Sequence, residues 1–201
     1  MKYKRFVAML LGTLLLSSSA AIASQACATA LLIVDVQMNL LAMGGSRLQT
    51  IYNQPILESV EAIVASARVS GLPIIYSKYV TGPLVASPDL VRFPESIAPR
   101  DVDHVVVRSG VDPLDPTLVE LLEQESISQL IVCGLYSTCC VDNAICAADE
   151  LGYEIVVIVE GHGDYETNLV DARARQAVWK TMSNVVVEKF DDLDLSAFCG
   201  S

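Results

Sequence analysis

Two cysteines stand side by side at the end of the stretch GLYSTCC, residues 134–140, and two more, Cys133 and Cys146, lie close by. Thiols at that density admit four readings: a redox pair, a metal site, a disulfide or a nucleophile. A thioredoxin-like pair needs C-x-x-C, which the chain lacks. A structural zinc site needs four Cys or His ligands, and His104 and His162 are distant from each other in the chain. A Cys139–Cys140 disulfide is disfavoured, because adjacent residues sit too close for relaxed disulfide geometry. A nucleophile needs charge that favours its thiolate and donors for the oxyanion that forms. Cys140 has the position for this. An apolar run ends at Gly134, a short turn follows, and a helical pattern starts near residue 140. A thiol there meets the positive end of the helix dipole, which favours the thiolate, and turn amides converge on the same place. Cys139 faces a different direction. Cys133, inside the apolar run, reads as a small buried hydrophobe, and Cys146 reads as helix packing.

The elements that must position this turn are also legible. Six apolar runs are strand candidates: TALLIVDV, LPIIYSKY, DHVVVRS, SQLIVCG, YEIVVIVE and NVVVEKF. Most are continuous and rich in Val and Ile, as strands covered on both faces are. Residues 53–70 carry apolar side chains at helical spacing, at Ile56, Val60, Ile63, Val64 and Ala67. Residues 116–126, 140–151 and 166–182 read similarly, the first opening on Pro116. Residues 80–102 are mostly loop, with Pro83, Pro88, Pro94 and Pro99. Strands alternating with helices imply an α/β fold with a parallel sheet and helices on both faces. Ligands in such sheets sit beyond the carboxyl ends of the strands. Asp35, Lys78, Arg108 and the GLYSTCC turn occupy those ends.

The chain has 201 residues, 52% of them hydrophobic and 18% charged, which fits one folded domain. Its formal net charge of -11 argues against a nucleic-acid partner, because phosphate contacts need a basic surface. The first residues place Lys2, Lys4 and Arg5 before an apolar run from Phe6 to Leu16 and a small-residue segment. That is the layout of a secretory signal peptide, here residues 1–23, with cleavage after Ala23 and Ala26 as the alternative. An anchor on Cys27 and an uncleaved membrane segment are weaker readings. The expected mature domain is residues 24–201, periplasmic or secreted, with no stable membrane insertion after cleavage. In an oxidising compartment Cys27 and Cys199 form a candidate disulfide tying the two ends of the domain.

ALLIVDVQ, an apolar third strand ending in a cation, and IVCGLYSTCCVDNAICAADELGYEIVVIVE together resemble the isochorismatase-like cysteine hydrolases. The resemblance runs from about Ala28 to Val187. It implies a three-layer α/β/α, Rossmann-like fold with six parallel strands in the order 3-2-1-4-5-6. It also implies that Asp35 is a general base and Cys140 the nucleophile. A cis peptide is implied at Leu135–Tyr136, with the amides of Tyr136 and Cys140 forming an oxyanion hole. Arg108 stands where the family has a catalytic lysine, so it supplies permanent charge but is a poor proton donor. Lys78 and His162 are candidate substrate contacts; taken by itself, His162 reads as a loop histidine and His104 as a surface residue. Metal-binding members of the family carry an Asp-x-His and further histidines, which this chain lacks, so no metal and no cofactor are expected. The implied activity is hydrolysis of a C–N bond in a small amide or carbamoyl compound through a thioester. The alternative is a non-catalytic binding or interaction protein on the same fold. Residues 38–52 and 80–100 are expected to line the pocket. Partner subunits often complete it in the family, so a homo-oligomer is a candidate assembly.

Overall fold

The computed structural model describes residues 27–42, 54–82, 88–165 and 168–199. The expected signal peptide lies outside them, as do residues 43–52 and 83–87 of the two expected pocket segments. The strands are β1 (Thr29–Val34), β2 (Ile74–Tyr79), β3 (His104–Arg108), β4 (Gln129–Leu135), β5 (Glu154–Gly163) and β6 (Val185–Glu188). The helices are α1 (Met38–Leu41), α2 (Gln54–Val69), α3 (Pro116–Gln124), α4 (Cys140–Glu150) and α5 (Leu169–Trp179). All strand pairs are parallel and the order is β3-β2-β1-β4-β5-β6, the order expected from the sequence.

β1 lies at the centre, and its TALLIV run is buried along its whole length. Alternate side chains serve opposite layers, because successive residues of a strand point to opposite faces. Leu31 and Ile33 pack with Val60, Ile63, Val64 and Ala67 of α2. Ala30, Leu32 and Val34 pack with Leu118 and Leu122 of α3, Val141, Ala144 and Ile145 of α4, and Trp179 of α5. Each fully buried Leu or Ile contributes roughly 1.5–3 kcal/mol, so this central strand organises both cores. α3 starts where it does because the Asp115 carboxylate accepts from the Thr117 and Leu118 amides at 3.0 and 3.1 Å, with Pro116 following the cap. α4 has no side-chain cap.

β4 and β5 do not run in step throughout. Val132 pairs with Val157 but Gly134 pairs with His162, so β5 spends five residues where β4 spends two. This irregularity carries β5 past the expected strand and brings His162, Gly163 and Asp164 alongside the end of β4. A disulfide joins Cys27, just before β1, to Cys199 after the last 3-10 turn, with Cα atoms 4.9 Å apart. No helix among the described residues is long and apolar enough to cross a membrane.

Candidate active site

Asp35 follows β1 directly and sits in the left-handed region at φ 55°. Its amide donates to the Ser77 carbonyl at 3.0 Å, and its own carbonyl accepts from the Gln37 amide at 2.8 Å. Asp tolerates this backbone better than most residues. The residue is 1% exposed. A buried carboxylate needs a partner, and Arg108 provides one from two strands away. Its Nη2 donates to Asp35 Oδ2, its Nη1 to the Gly110 carbonyl and its Nε to Ser77 Oγ at 2.8 Å. The guanidinium carbon also lies 5.3 Å from the centre of the Tyr79 ring. Arg108 is thus held by groups on four sides, a use of the planar fork that a lysine ammonium does not reproduce.

Cys140, the first residue of α4, lies near enough to Asp35 and Arg108 for the charge of each to act on its thiol. Burial raises the Asp35 carboxyl to about 6, against the lowering pull of Arg108 and of the Cys140 thiol. The Cys140 thiol is pushed well above its ordinary value, first by burial and then by the Asp35 carboxylate, with Arg108 pulling the other way. The helix dipole and Arg108, which favour the thiolate, are therefore opposed by burial and by Asp35. Desolvation outweighs the cation, much of whose charge is already matched by Asp35. Cys140 rests as a neutral thiol beside a carboxylate that is ionised at neutral pH. Asp35 Oδ1 is buried without a hydrogen-bond partner among the described residues.

The turn between β4 and α4 is shaped by a close approach. Gly134 has φ 132°, and a Cβ there would run into the Val34 carbonyl, so only glycine fits beside β1. The Leu135–Tyr136 peptide is cis. The amides of Tyr136 and Cys140 have no acceptor among the described residues, whereas those of Cys139 and Val141 both donate to the Tyr136 carbonyl, at 2.9 and 3.1 Å. Tyr136 is itself anchored, its hydroxyl donating to the Leu40 carbonyl and its ring stacked on Tyr165 at 4.3 Å.

The end of β5 grips the other side of this turn. The Ser137 amide donates to the Gly163 carbonyl at 2.9 Å. Ser137 Oγ lies 2.8 Å from His162 Nδ1. Asp164 Oδ2 accepts from both the amide and the hydroxyl of Thr138 at 2.7 Å. His162 Nε2 meets the Gln176 amide nitrogen at 3.0 Å, and its ring makes an edge contact with Trp179. With Gln176 donating, Nδ1 carries the proton and donates to Ser137. Burial pulls His162 down to about 4, so it is neutral. His162 is thus a buried strand residue rather than an exposed loop histidine.

Lys78 lies elsewhere. It shares the face of Tyr76, and its Nζ is 5.7 Å from the centre of the Phe93 ring, while its neighbour Ser77 serves Arg108 on the other face. His104 opens β3 and pairs with Glu125 at 3.7 Å. Among the described residues no group of three or more His, Cys, Asp or Glu could hold a metal ion. A cavity of about 630 Å³ opens behind the turn, lined by Ile56, Val159, His162, Asp164, Arg173 and Gln176 among others, but by none of Asp35, Arg108 and Cys140. The titrating groups, rather than cavity size, define the reactive centre.

Sequence reasoning did not find Ser77, Asp164 or Gln37. The buried Gln37 amide donates to the Tyr79 and Val91 carbonyls at 3.0 and 3.2 Å, and its oxygen accepts from the Tyr79 amide at 2.7 Å. It ties residues 88–93 to the end of β2. A polar residue two positions after the first strand carboxylate, inside ALLIVDVQ, was the available signal.

In this parallel α/β fold an acid after β1, a cation ending β3 and a cysteine opening α4 are brought to one end of the sheet. Residues 29–188 match the model of the isochorismatase domain, and the chain belongs to the isochorismatase family. An uncharacterised isochorismatase family protein of Bacillus subtilis (strain 168) is 26% identical over 136 residues, 65% of this chain and 74% of that protein. A streptothricin hydrolase of Streptomyces noursei is 29% identical over 143 residues, 68% of this chain but only half of that protein's length. In fold, the chain is similar to a nicotinamidase from Staphylococcus aureus, with TM-score 0.68 and 21% identity over 81% of this chain and 98% of the other. It is also similar to a cysteine hydrolase from Pseudomonas syringae, with TM-score 0.68 and 17% identity over 80% and 89% of the two chains.

Proposed function

We propose that this isochorismatase-family hydrolase cleaves the C–N bond of a small amide or carbamoyl compound through a thioester on Cys140. The observation that carries the reading is the convergence of Asp35, Arg108 and Cys140 beside two unengaged amides. As the Cys140 sulfur attacks the substrate carbonyl, Asp35 Oδ1 takes the thiol proton. The carbonyl oxygen becomes an oxyanion against the Tyr136 and Cys140 N–H groups. Collapse breaks the C–N bond, and the proton held by Asp35 passes to the leaving nitrogen. Asp35 then deprotonates a water that attacks the thioester. The C–S bond breaks, the acid leaves and Cys140 regains its proton.

Arg108 remains protonated throughout. Its role is electrostatic: it keeps the buried Asp35 carboxylate ionised at neutral pH and offsets negative charge during attack. A carboxyl raised to about 6 is well matched to this duty, since a general base works best near the operating pH. Amide hydrolysis is supported by the likeness to a streptothricin hydrolase and a nicotinamidase. A periplasmic or extracellular location is part of the proposal, supported by the signal-like N-terminus and the Cys27–Cys199 disulfide.

A panel of small amides and carbamoyl compounds, read by ammonia release, should yield a substrate. With it, mass spectrometry should trap an acyl group on Cys140, and Cys140→Ala should lose at least about a thousandfold in turnover. Full turnover by Cys140→Ala would overturn the proposal. The binding-protein alternative predicts instead that such a compound binds with no ammonia release and no acyl group on Cys140.

A further inference from the structure

The sulfur atoms of Cys139 and Cys140 lie 3.9 Å apart. Cys139 is exposed while Cys140 is buried. Cys139 does not cap α4 with its side chain, and its thiol has no partner among the described residues other than Cys140. The other free cysteines are placed differently: Cys133 is wholly buried in β4, and Cys146 lies against Asp142 on α4. An accessible thiol touching a buried reactive one is the arrangement of an entry point for thiol–disulfide exchange.

We propose that Cys139 is a modification site at which a low-molecular-weight disulfide, such as oxidised glutathione, converts Cys139 and Cys140 to a reversible disulfide. In the first exchange the Cys139 thiolate attacks one sulfur of the small disulfide. Its S–S bond breaks, one thiol leaves and takes a proton, and a mixed disulfide remains on Cys139. In the second exchange Cys140 gives its proton to Asp35 and attacks the Cys139 sulfur. The mixed disulfide breaks, the second small thiol leaves with that proton, and the Cys139–Cys140 bond closes. Two protein thiols are oxidised and one small disulfide is reduced to two thiols.

Exposure sets the order, since the reagent reaches Cys139 and not the buried sulfur. Adjacent Cα atoms are about 3.8 Å apart, below the roughly 4.4–6.8 Å that relaxed disulfides span. The bond formed is therefore strained and readily reduced, which suits a reversible block. That the block silences turnover rests on Cys140 being the nucleophile; that the bond forms does not.

The full-length folded protein is exposed to oxidised glutathione, quenched by alkylation and weighed intact. Wild type has four free cysteines before treatment. It should lose two of them, so that after alkylation it carries two alkyl groups rather than the four of the untreated protein, keep no glutathione and recover all four with dithiothreitol. Cys139→Ser should lose the Cys140 thiol at least about tenfold more slowly. A stable glutathione adduct on Cys139, four surviving thiols, or equal loss of the Cys140 thiol in Cys139→Ser would each overturn the proposal. If the bond forms while hydrolysis of an amide substrate continues unchanged, the nucleophile reading falls and the modification site stands.

Discussion

On the β5 side of the turn at residues 135–140, Ser137 and Thr138 bond to Gly163, His162 and Asp164 through both main chain and side chain. On the β1 side, Asp35 Oδ1 and the amides of Tyr136 and Cys140 have no partner among the described residues. The titratable groups on the two sides are also set differently. His162 is held neutral behind the turn, while Asp35 in front of it sits at about 6, within reach of ordinary working pH. The difference teaches how a reactive centre is kept both stiff and open. Saturated hydrogen bonding on one side fixes the turn, so unmatched groups on the other can stay aimed at a reacting atom without collapsing onto each other.

The comparison breaks most severely if the unmatched side is disarmed. Asp35→Asn keeps the shape but removes the base, and turnover should fall about 10²–10⁴-fold. In wild type, activity requires the carboxylate, so it should decline as pH drops through about 6; the variant's residual rate should lack that limb. A pH–rate profile measures both.

The saturated side should respond more mildly. In Asp164→Asn, one oxygen cannot serve as the same charged acceptor for the Thr138 amide and hydroxyl. About tenfold should be lost in kcat with KM little changed, along with about 1–3 kcal/mol of stability by denaturant titration. A change confined to stability would make Asp164 a structural residue only.

His162 sharpens the contrast through pH. Its folded value of about 4 lies below the ordinary 6.5, so the unfolded chain binds a proton that the folded one refuses. Stability present above pH 6.5 should decline as pH falls toward 4, and His162→Gln should flatten that part of the Tm-against-pH curve. An equally steep curve in the variant would assign the acid sensitivity to other groups. The smallest effect belongs to Lys78. Lys78→Met should leave turnover within about twofold, since its side chain lies on the face opposite Ser77 and Arg108.

The strands were legible because a central parallel strand must be apolar on both faces, and TALLIVDV and SQLIVCG leave no other reading. Asp35, Arg108 and Cys140 were legible because they end such strands or follow one. The misread region was the end of β5. Gly161-His162-Gly163 looks like loop, yet a Cβ at Gly163 would strike Ile56, so this glycine marks close packing of α2 on the strand rather than a turn. Ser77 and Asp164 carried no local pattern, because their partners lie 31 and 26 residues away and meet only once the sheet has formed. What held back the Cys140 thiol was not legible, because a helix start signals stabilised negative charge while the depth of burial that opposes it has no local signature.

The bond between Cys27 and Cys199 joins residues 172 positions apart and makes nearly the whole domain a closed loop. A protease that cuts once anywhere inside that loop therefore produces no free fragment. The two pieces remain one molecule until a reductant parts them, so the chain tolerates a single break in any of its surface connections without separating into parts.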